Sequence, residues 1–289
     1  MRIRPCIDIH NGAVKQIVGS SIRDQSSEVT DNFVSALGAD YYAGLYRGQN
    51  LAGGHIILLN SREKEPEAYA ADLDQARRAL AAFPHGMQIG GGINPENAAD
   101  FLEMGASHVI ITSYVFREGR LDEARLDEML RAVGKEHLVL DLSCRRVQAD
   151  VEAEDAAGNA EAGAAEYRVV TDRWQKLTQL RVTPALLSEL SSSCDEFLIH
   201  AADVEGKRGG VETELLKILG KSCSRTGSDG TGEEPLQVPV TYAGGVHVLD
   251  DLKLIRQLTG GRVDVTVGSA LDLFGGTLKL EDLVRIAGT

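Results

Sequence analysis

The chain has 289 residues, 43% of them hydrophobic and 25% charged, with 31 Gly, 7 Pro and a formal net charge of -13. That composition excludes a disordered or collagen-like chain, and the acidic balance repels nucleic acid and anionic membrane, so a bound phosphate has to be held locally. No apolar run approaches the roughly 18 residues of a membrane span.

Short apolar runs alternate with stretches whose apolar residues recur every three or four positions, the spacing of an amphipathic helix. The first strand pattern is Ile3 to Ile9, reached so early that no cleavable leader is expected. In chain order there follow a strand at His55 to Leu59, a helix at Glu67 to Phe83, a strand at Met87 to Ile89 and a helix at Asn94 to Met104. Next come a strand at His108 to Thr112, a helix at Leu121 to Val133, a strand at Leu138 to Leu142 and a helix at Pro184 to Ser192. The series closes with a strand at Phe197 to Ala201, a helix at Val211 to Leu219, a strand at Val238 to Ala243, a helix at Val248 to Leu258 and a strand at Val263 to Val267. Asn94-Pro95-Glu96 and Thr183-Pro184 supply start signals for two of the helices.

Eight alternations of this kind predict an α/β fold, a single (β/α)8 TIM barrel over residues 1–289, with strands apolar enough for a parallel sheet buried on both faces. The rival is an open doubly wound sheet, but its GxGxxG fingerprint is missing: the first strand runs into Asp8-Ile9-His10-Asn11-Gly12. The chain also reads as two half-barrels, about 1–135 and 136–289. CIDIHNGAV is echoed by VLDLSCRRV, and QIGGGINPENAADFLEMGASHVIITSYVF by TYAGGVHVLDDLKLIRQLTGGRVDVTVGSALDLF. Asp8 and Asp141 are 133 positions apart, Gly92 and Gly245 153, and Ser113 and Ser269 156. The second half therefore carries about 20 extra residues, assigned to surface loops at Val151 to Glu166 and Ser222 to Pro235, the second of them mobile.

In such a barrel the strands' C-terminal ends face one pocket, which makes Asp8 and Asp141 candidates for acid and base. The competing structural reading is that each Asp caps a neighbouring loop. Gly90-Gly91-Gly92 and Gly244-Gly245 each end a strand, and each is followed by a second small polar strand end, Thr112-Ser113 and Gly268-Ser269. Glycine lets backbone approach an anion closely, so Gly91, Gly92, Thr112, Ser113, Gly244, Gly245, Gly268 and Ser269 suit a substrate with a phosphate at each end. Glycines that serve only turn geometry are the alternative.

CIDIHNGAVKQIVG, QIGGGI, TDRWQKLT, FLIHAADVEGKRGG, TYAGGV and the VGSALDLFGG region together resemble the phosphoribosylformimino-aminoimidazole carboxamide ribotide isomerases of histidine biosynthesis, in their eukaryotic-type branch. The likeness runs over nearly the whole chain. It implies a half-barrel duplication, a bisphosphate small molecule as substrate and an Amadori rearrangement that needs no cofactor and no metal. Asp8 matches that family's general base and Asp141 its general acid. The bacterial form has Thr, an acidic residue and then Asp-Gly after strand six, where this chain reads Ala201-Ala202-Asp203-Val204-Glu205-Gly206. Asp203 or Glu205 can still enter the site, or either can be solvated or paired to Lys207 or Arg208.

The 4 Cys (Cys6, Cys144, Cys194 and Cys223) are scattered, which argues against a disulfide framework or structural zinc and favours the reducing cytoplasm. Cys6 and Cys144 read as small core residues, and His55 and His200 as buried structural histidines rather than substrate contacts. Trp174, the only Trp, lies in a polar stretch after strand five and is expected to stack on a flat substrate ring; packing on the outer helices is the alternative. Two other functions stay open: the cyclase-synthase of the same pathway, which shares PCIDIHNG, and a non-catalytic phosphosugar-binding barrel. The expected protein is a monomer, with no nucleic-acid or membrane partner.

Overall fold

Eight parallel strands form a closed ring. In the computed structural model, which describes residues 1–17, 31–147, 166–172, 174–207, 209–224 and 235–288, they are β1 (Cys6–His10), β2 (Gly54–Leu58), β3 (Met87–Gly90), β4 (Val109–Ile111), β5 (Leu138–Asp141), β6 (Glu196–His200), β7 (Val240–Ala243) and β8 (Asp264–Thr266). Each pairs with the next in that order. The ring closes where Ile3 bridges Val265, with Arg4 N donating to Val265 O at 2.9 Å and Val265 N to Arg2 O at 3.0 Å. A closed barrel results, and the open sheet is excluded.

The helices among the described residues follow the strands one by one: α1 (Ala39–Gly48), α2 (Pro66–Ala82), α3 (Ala98–Glu103), α4 (Glu123–Val133), α5 (Pro184–Leu190), α6 (Thr213–Ser222), α7 (Leu249–Thr259) and α8 (Leu280–Ala287). Each turns an apolar stripe to the sheet, as in α1, where Ala39, Tyr42, Ala43 and Tyr46 are buried. Thr183 caps α5 by accepting from Leu186 N at 3.2 Å. Asn94 does not start α3. It folds a turn of its own, accepting from Glu96 N at 3.0 Å, so the helix begins four residues later than expected.

Two groups of antiparallel strands lie outside the ring. Ala13–Ile17 and Asp31–Val34 continue the sheet antiparallel from β1. Cys144–Val147, Glu166–Thr171 and Lys176–Arg181 form a separate antiparallel sheet after β5. Glu166, expected in a loop, thus belongs to a strand. The rest of that expected loop, 151–165, lies outside the described residues, as do 225–234 of the Ser222 to Pro235 stretch.

Inside the barrel the side chains stack in tiers. At the floor Arg4 pairs with Asp264 (Nε to Oδ2, 3.0 Å) and Glu196 (Nη2 to Oε2, 3.4 Å). Gln88 Nε2 and Thr241 Oγ1 donate to the two oxygens of Glu196 at 2.9 and 2.6 Å. Burying charge is tolerable because each member is paired. Above the floor Ile57, Ile110, Val139, Leu198 and Ala243 form an apolar plug. The outward-facing strand residues join a much larger core against the helices. The plug leaves only the C-terminal ends of the strands open, and the polar groups gather there.

Candidate active site

The C-terminal mouth holds a cavity of about 1090 Å³. Asp8 and Asp141 both line it. Their strands, β1 and β5, are four places apart in a ring of eight, so the carboxyls face each other across the mouth. Asp8 is pushed up to about 7 by burial and then by the Glu205 carboxylate, against the pull of His200. Asp141 is also raised by burial, opposed by His200 and by the hydroxyls of Ser143 (2.8 Å) and Thr112 (3.0 Å), which donate to it. A carboxyl with a proton affinity near neutrality can give and take protons at working pH.

Gly91, Gly92, Ser113, Gly244, Gly245, Gly268 and Ser269 line the same cavity. The two glycine turns have matching geometry. Gly91 has φ +105° and Gly244 φ +117°, and a Cβ on either would run into the carbonyl that ends the preceding strand segment, that of Leu58 or Ala201. Gly92 has φ +67° and nothing within 4 Å of its Cβ position, so its bare backbone faces open cavity. Gly245, φ +75°, instead packs on the Gly210 carbonyl. These turns follow β3 and β7, again on opposite sides of the ring.

Thr112 and Ser113 line the cavity with their hydroxyls engaged by the protein. Thr112 Oγ1 is spent on Asp141, and Ser113 Oγ accepts from Asp172 N at 3.1 Å. Asp203 does not line the cavity. It turns outward, accepting from Arg146 N at 2.9 Å and pairing with Arg145 Nε at 3.5 Å, rather than with Lys207. Arg208 lies outside the described residues. Glu205, two residues on, takes the inward direction and lines the cavity with Oε2 2.9 Å from His200 Nε2.

His200 therefore departs from the structural reading given to it above: it ends β6, lines the cavity and faces both aspartates. His55 keeps that reading in part. It is 4% exposed, and burial, then His200, pull it down to about 3, so its ring is neutral. Trp174 sits over the mouth with φ +65°, its indole edge-on to the His200 ring at 4.8 Å between centroids. It is not packed on the outer helices. Burial pushes the thiols of Cys6 and Cys144 up, which makes both poor nucleophiles. The string HAADVEG offered Glu205 as one of two candidate acids, and its His200 was read as structural. The spacing alone does not say which of its two acids turns in.

A family model described as "Histidine biosynthesis protein" matches residues 2–279. The chain is 46% identical over 288 residues to a chloroplastic 1-(5-phosphoribosyl)-5-((5-phosphoribosylamino)methylideneamino)imidazole-4-carboxamide isomerase of Medicago truncatula, covering 98% of this chain and 81% of that protein. It is 42% identical over 277 residues to the isomerase of the same name from Neurospora crassa, covering 95% and 93% of the two chains. The corresponding figures for the Saccharomyces cerevisiae isomerase are 39% over 283 residues, 97% and 95%.

Proposed function

The chain belongs to the histidine biosynthesis protein family, and from that premise we propose that it is the aldose-ketose isomerase for which those relatives are named. The observation that carries this reading at the level of the site is the pair of partly buried carboxyls, Asp8 and Asp141, facing each other across one cavity. The reaction is an Amadori rearrangement. Protonation of the ring oxygen of the aminoaldose opens the ring to a Schiff base. Removal of the C2 proton then gives an enolamine, which tautomerises to the aminoketose. Two carboxyls suffice for these transfers.

Asp8 is the general base. A value of about 7 leaves it largely ionised at slightly alkaline pH yet basic enough to take a carbon-bound proton from an activated intermediate. Asp141 is the general acid, its proton affinity raised by burial and its carboxyl oriented by Thr112 and Ser143. The substrate carries a phosphoribosyl group at each end. One phosphate lies at Gly91, Gly92 and Ser113, the other at Gly244, Gly245, Gly268 and Ser269, where bare backbone lets an anion approach closely. Trp174 covers the flat carboxamide-bearing ring and excludes water. The matching turns after β3 and β7 support a duplicated half-barrel, with halves about 1–135 and 136–289. A cytoplasmic location suits four cysteines that are all free and mostly buried.

The deciding experiment is a direct assay with the aminoaldose, followed spectroscopically with and without the next enzyme of the pathway. Isomerisation without ammonia is expected. Ammonia-dependent cyclisation would assign the chain to the cyclase-synthase instead, and tight binding without turnover to a phosphosugar-binding barrel.

A further inference from the structure

His200 ends β6 two residues beyond Leu198, which belongs to the apolar plug, and its ring enters the cavity. The chain then turns back, so that Glu205 places Oε2 2.9 Å from His200 Nε2. The two side chains are 19% and 21% exposed, and both line the cavity. From the other side Trp174 packs edge-on against the same ring, the planes at 66°. An imidazole held at one nitrogen by a carboxylate and along its edge by an indole has a fixed orientation. Its other nitrogen, Nδ1, forms no hydrogen bond among the described residues.

Four titratable groups face this ring: Glu205 from its own loop, Asp141 from β5, Asp8 from β1 and His55 from β2. Three are carboxyls, and His55 is neutral. Carboxylates gathered in a desolvated mouth repel one another, and each resists ionisation unless a cation stands among them. His200 is the group in position to supply that charge. Burial works against its charged form, but Glu205, then Asp141 and Asp8, outweigh burial and raise its proton affinity above the ordinary histidine value.

We propose that His200 is the positioning cation of this site: clamped by Glu205 and Trp174, its imidazolium faces Asp8 and lets that carboxyl ionise, and so act as base. The kinetic consequence rests on the isomerase reading; the charge state of the pair does not.

The test has two arms, both on the full chain. Trp174 is the only Trp, and a protonated imidazole against an indole quenches its emission, so a pH titration of fluorescence reads His200 without substrate. The transition is expected above the ordinary histidine value of about 6.5. It should move to lower pH in Glu205→Gln and vanish in His200→Gln. In the second arm, the rising limb of kcat/KM against pH should move up by about one unit or more in His200→Gln, a loss of about tenfold at neutral pH that recovers in alkali, with KM little changed. A transition at or below about 6.5, one indifferent to Glu205→Gln, or a loss by the same factor at every pH would overturn the proposal. No turnover by the parent chain at any pH would refute the isomerase reading itself, and the emission titration alone would then decide the charged pair.

Discussion

Asp8 is held where its charged form is disfavoured, and the site uses that cost. Its proposed role as a base and its effect on stability are two sides of one shift. In the unfolded chain its carboxyl titrates at the ordinary aspartate value of about 4, whereas in the fold it keeps its proton to about 7. Between those values the folded state binds a proton that the unfolded state has released, so this group's contribution to stability falls as pH rises from about 4 to about 7 and is level above that. Asp8→Asn removes the ionisation. It should match the parent in urea midpoint near pH 4 and exceed it near pH 8, while losing at least about 100-fold in kcat with substrate affinity largely kept. Equal midpoint differences at both pH values would show that Asp8 is not perturbed, and near-parental kcat would remove it from the mechanism. Asp141→Asn carries the same kinetic expectation, because an amide keeps much of the shape between Thr112 and Ser143 but cannot pass a proton. A near-parental kcat there would reduce Asp141 to a loop-fastening residue.

The elements hold these residues in place, and the βα turns allow a sharper separation of fold from binding. Gly91→Ala puts a methyl into the Leu58 carbonyl at a φ of +105°, and Gly244→Ala puts one 2.9 Å from the Ala201 carbonyl at +117°. Each is expected to destabilise by about 1–3 kcal/mol or more, as strained non-glycine backbone does. Gly92→Ala meets no atom within 4 Å and points into the cavity. Its cost in stability should stay near about 1–2 kcal/mol, and its main effect should be a raised KM for the bisphosphate. Thermal melts beside KM values check the contrast, and an unchanged KM in Gly92→Ala would mean that this glycine serves only the turn. These turns were legible in the sequence because glycine pairs after apolar runs stand out against the helices that follow. The ring strands were legible for a related reason: buried on both faces, they read as continuous apolar runs. α1 was not, since Gly38 offers no side-chain cap and ADYYAGLYRG mixes small, aromatic and glycine residues without a clean start. The sheet after β5 was hidden because Lys176–Arg181 is mostly exposed and reads as a polar loop; its partner strand decides it. The site divides similarly. Aspartates and glycines at strand ends are visible locally, whereas the opposite directions of Asp203 and Glu205 depend on Arg145 and His200, which only the folded loop brings near.

At the scale of the molecule, the opposed carboxyls and opposed glycine turns exist only because the ring is closed, and closure runs through the segment before β1. Backbone bonds from Arg2 and Arg4 to Val265 join the first strand to the last. The Arg4 side chain then reaches under the barrel, where Asp264 and Glu196 share it; the three side chains are 7%, 8% and 5% exposed. A buried ion cluster is weak evidence of net stabilisation, but removing one member leaves uncompensated charge, which costs about 3–5 kcal/mol. Arg4→Met keeps the apolar stem and removes the cation, so it should lower the unfolding free energy by about that amount. The direction with pH follows from Glu196, whose proton affinity is raised by burial with Arg4 pulling against it. Without Arg4 it rises further, and a carboxyl of raised affinity stabilises the fold at low pH and loses that contribution as pH rises. The deficit of Arg4→Met should therefore be larger at pH 8 than at pH 5. Adding Glu196→Gln should recover part of it at pH 8, because the amide oxygen can still accept from Thr241 while its NH2 donates to the oxygen of a flipped Gln88, with no charge carried. Denaturant unfolding of the parent, both single variants and the double variant at the two pH values measures this coupling. Deficits that are equal at both pH values and add in the double variant would mean that the barrel is closed by its backbone bonds alone, with the ion cluster only filling the space beneath the plug.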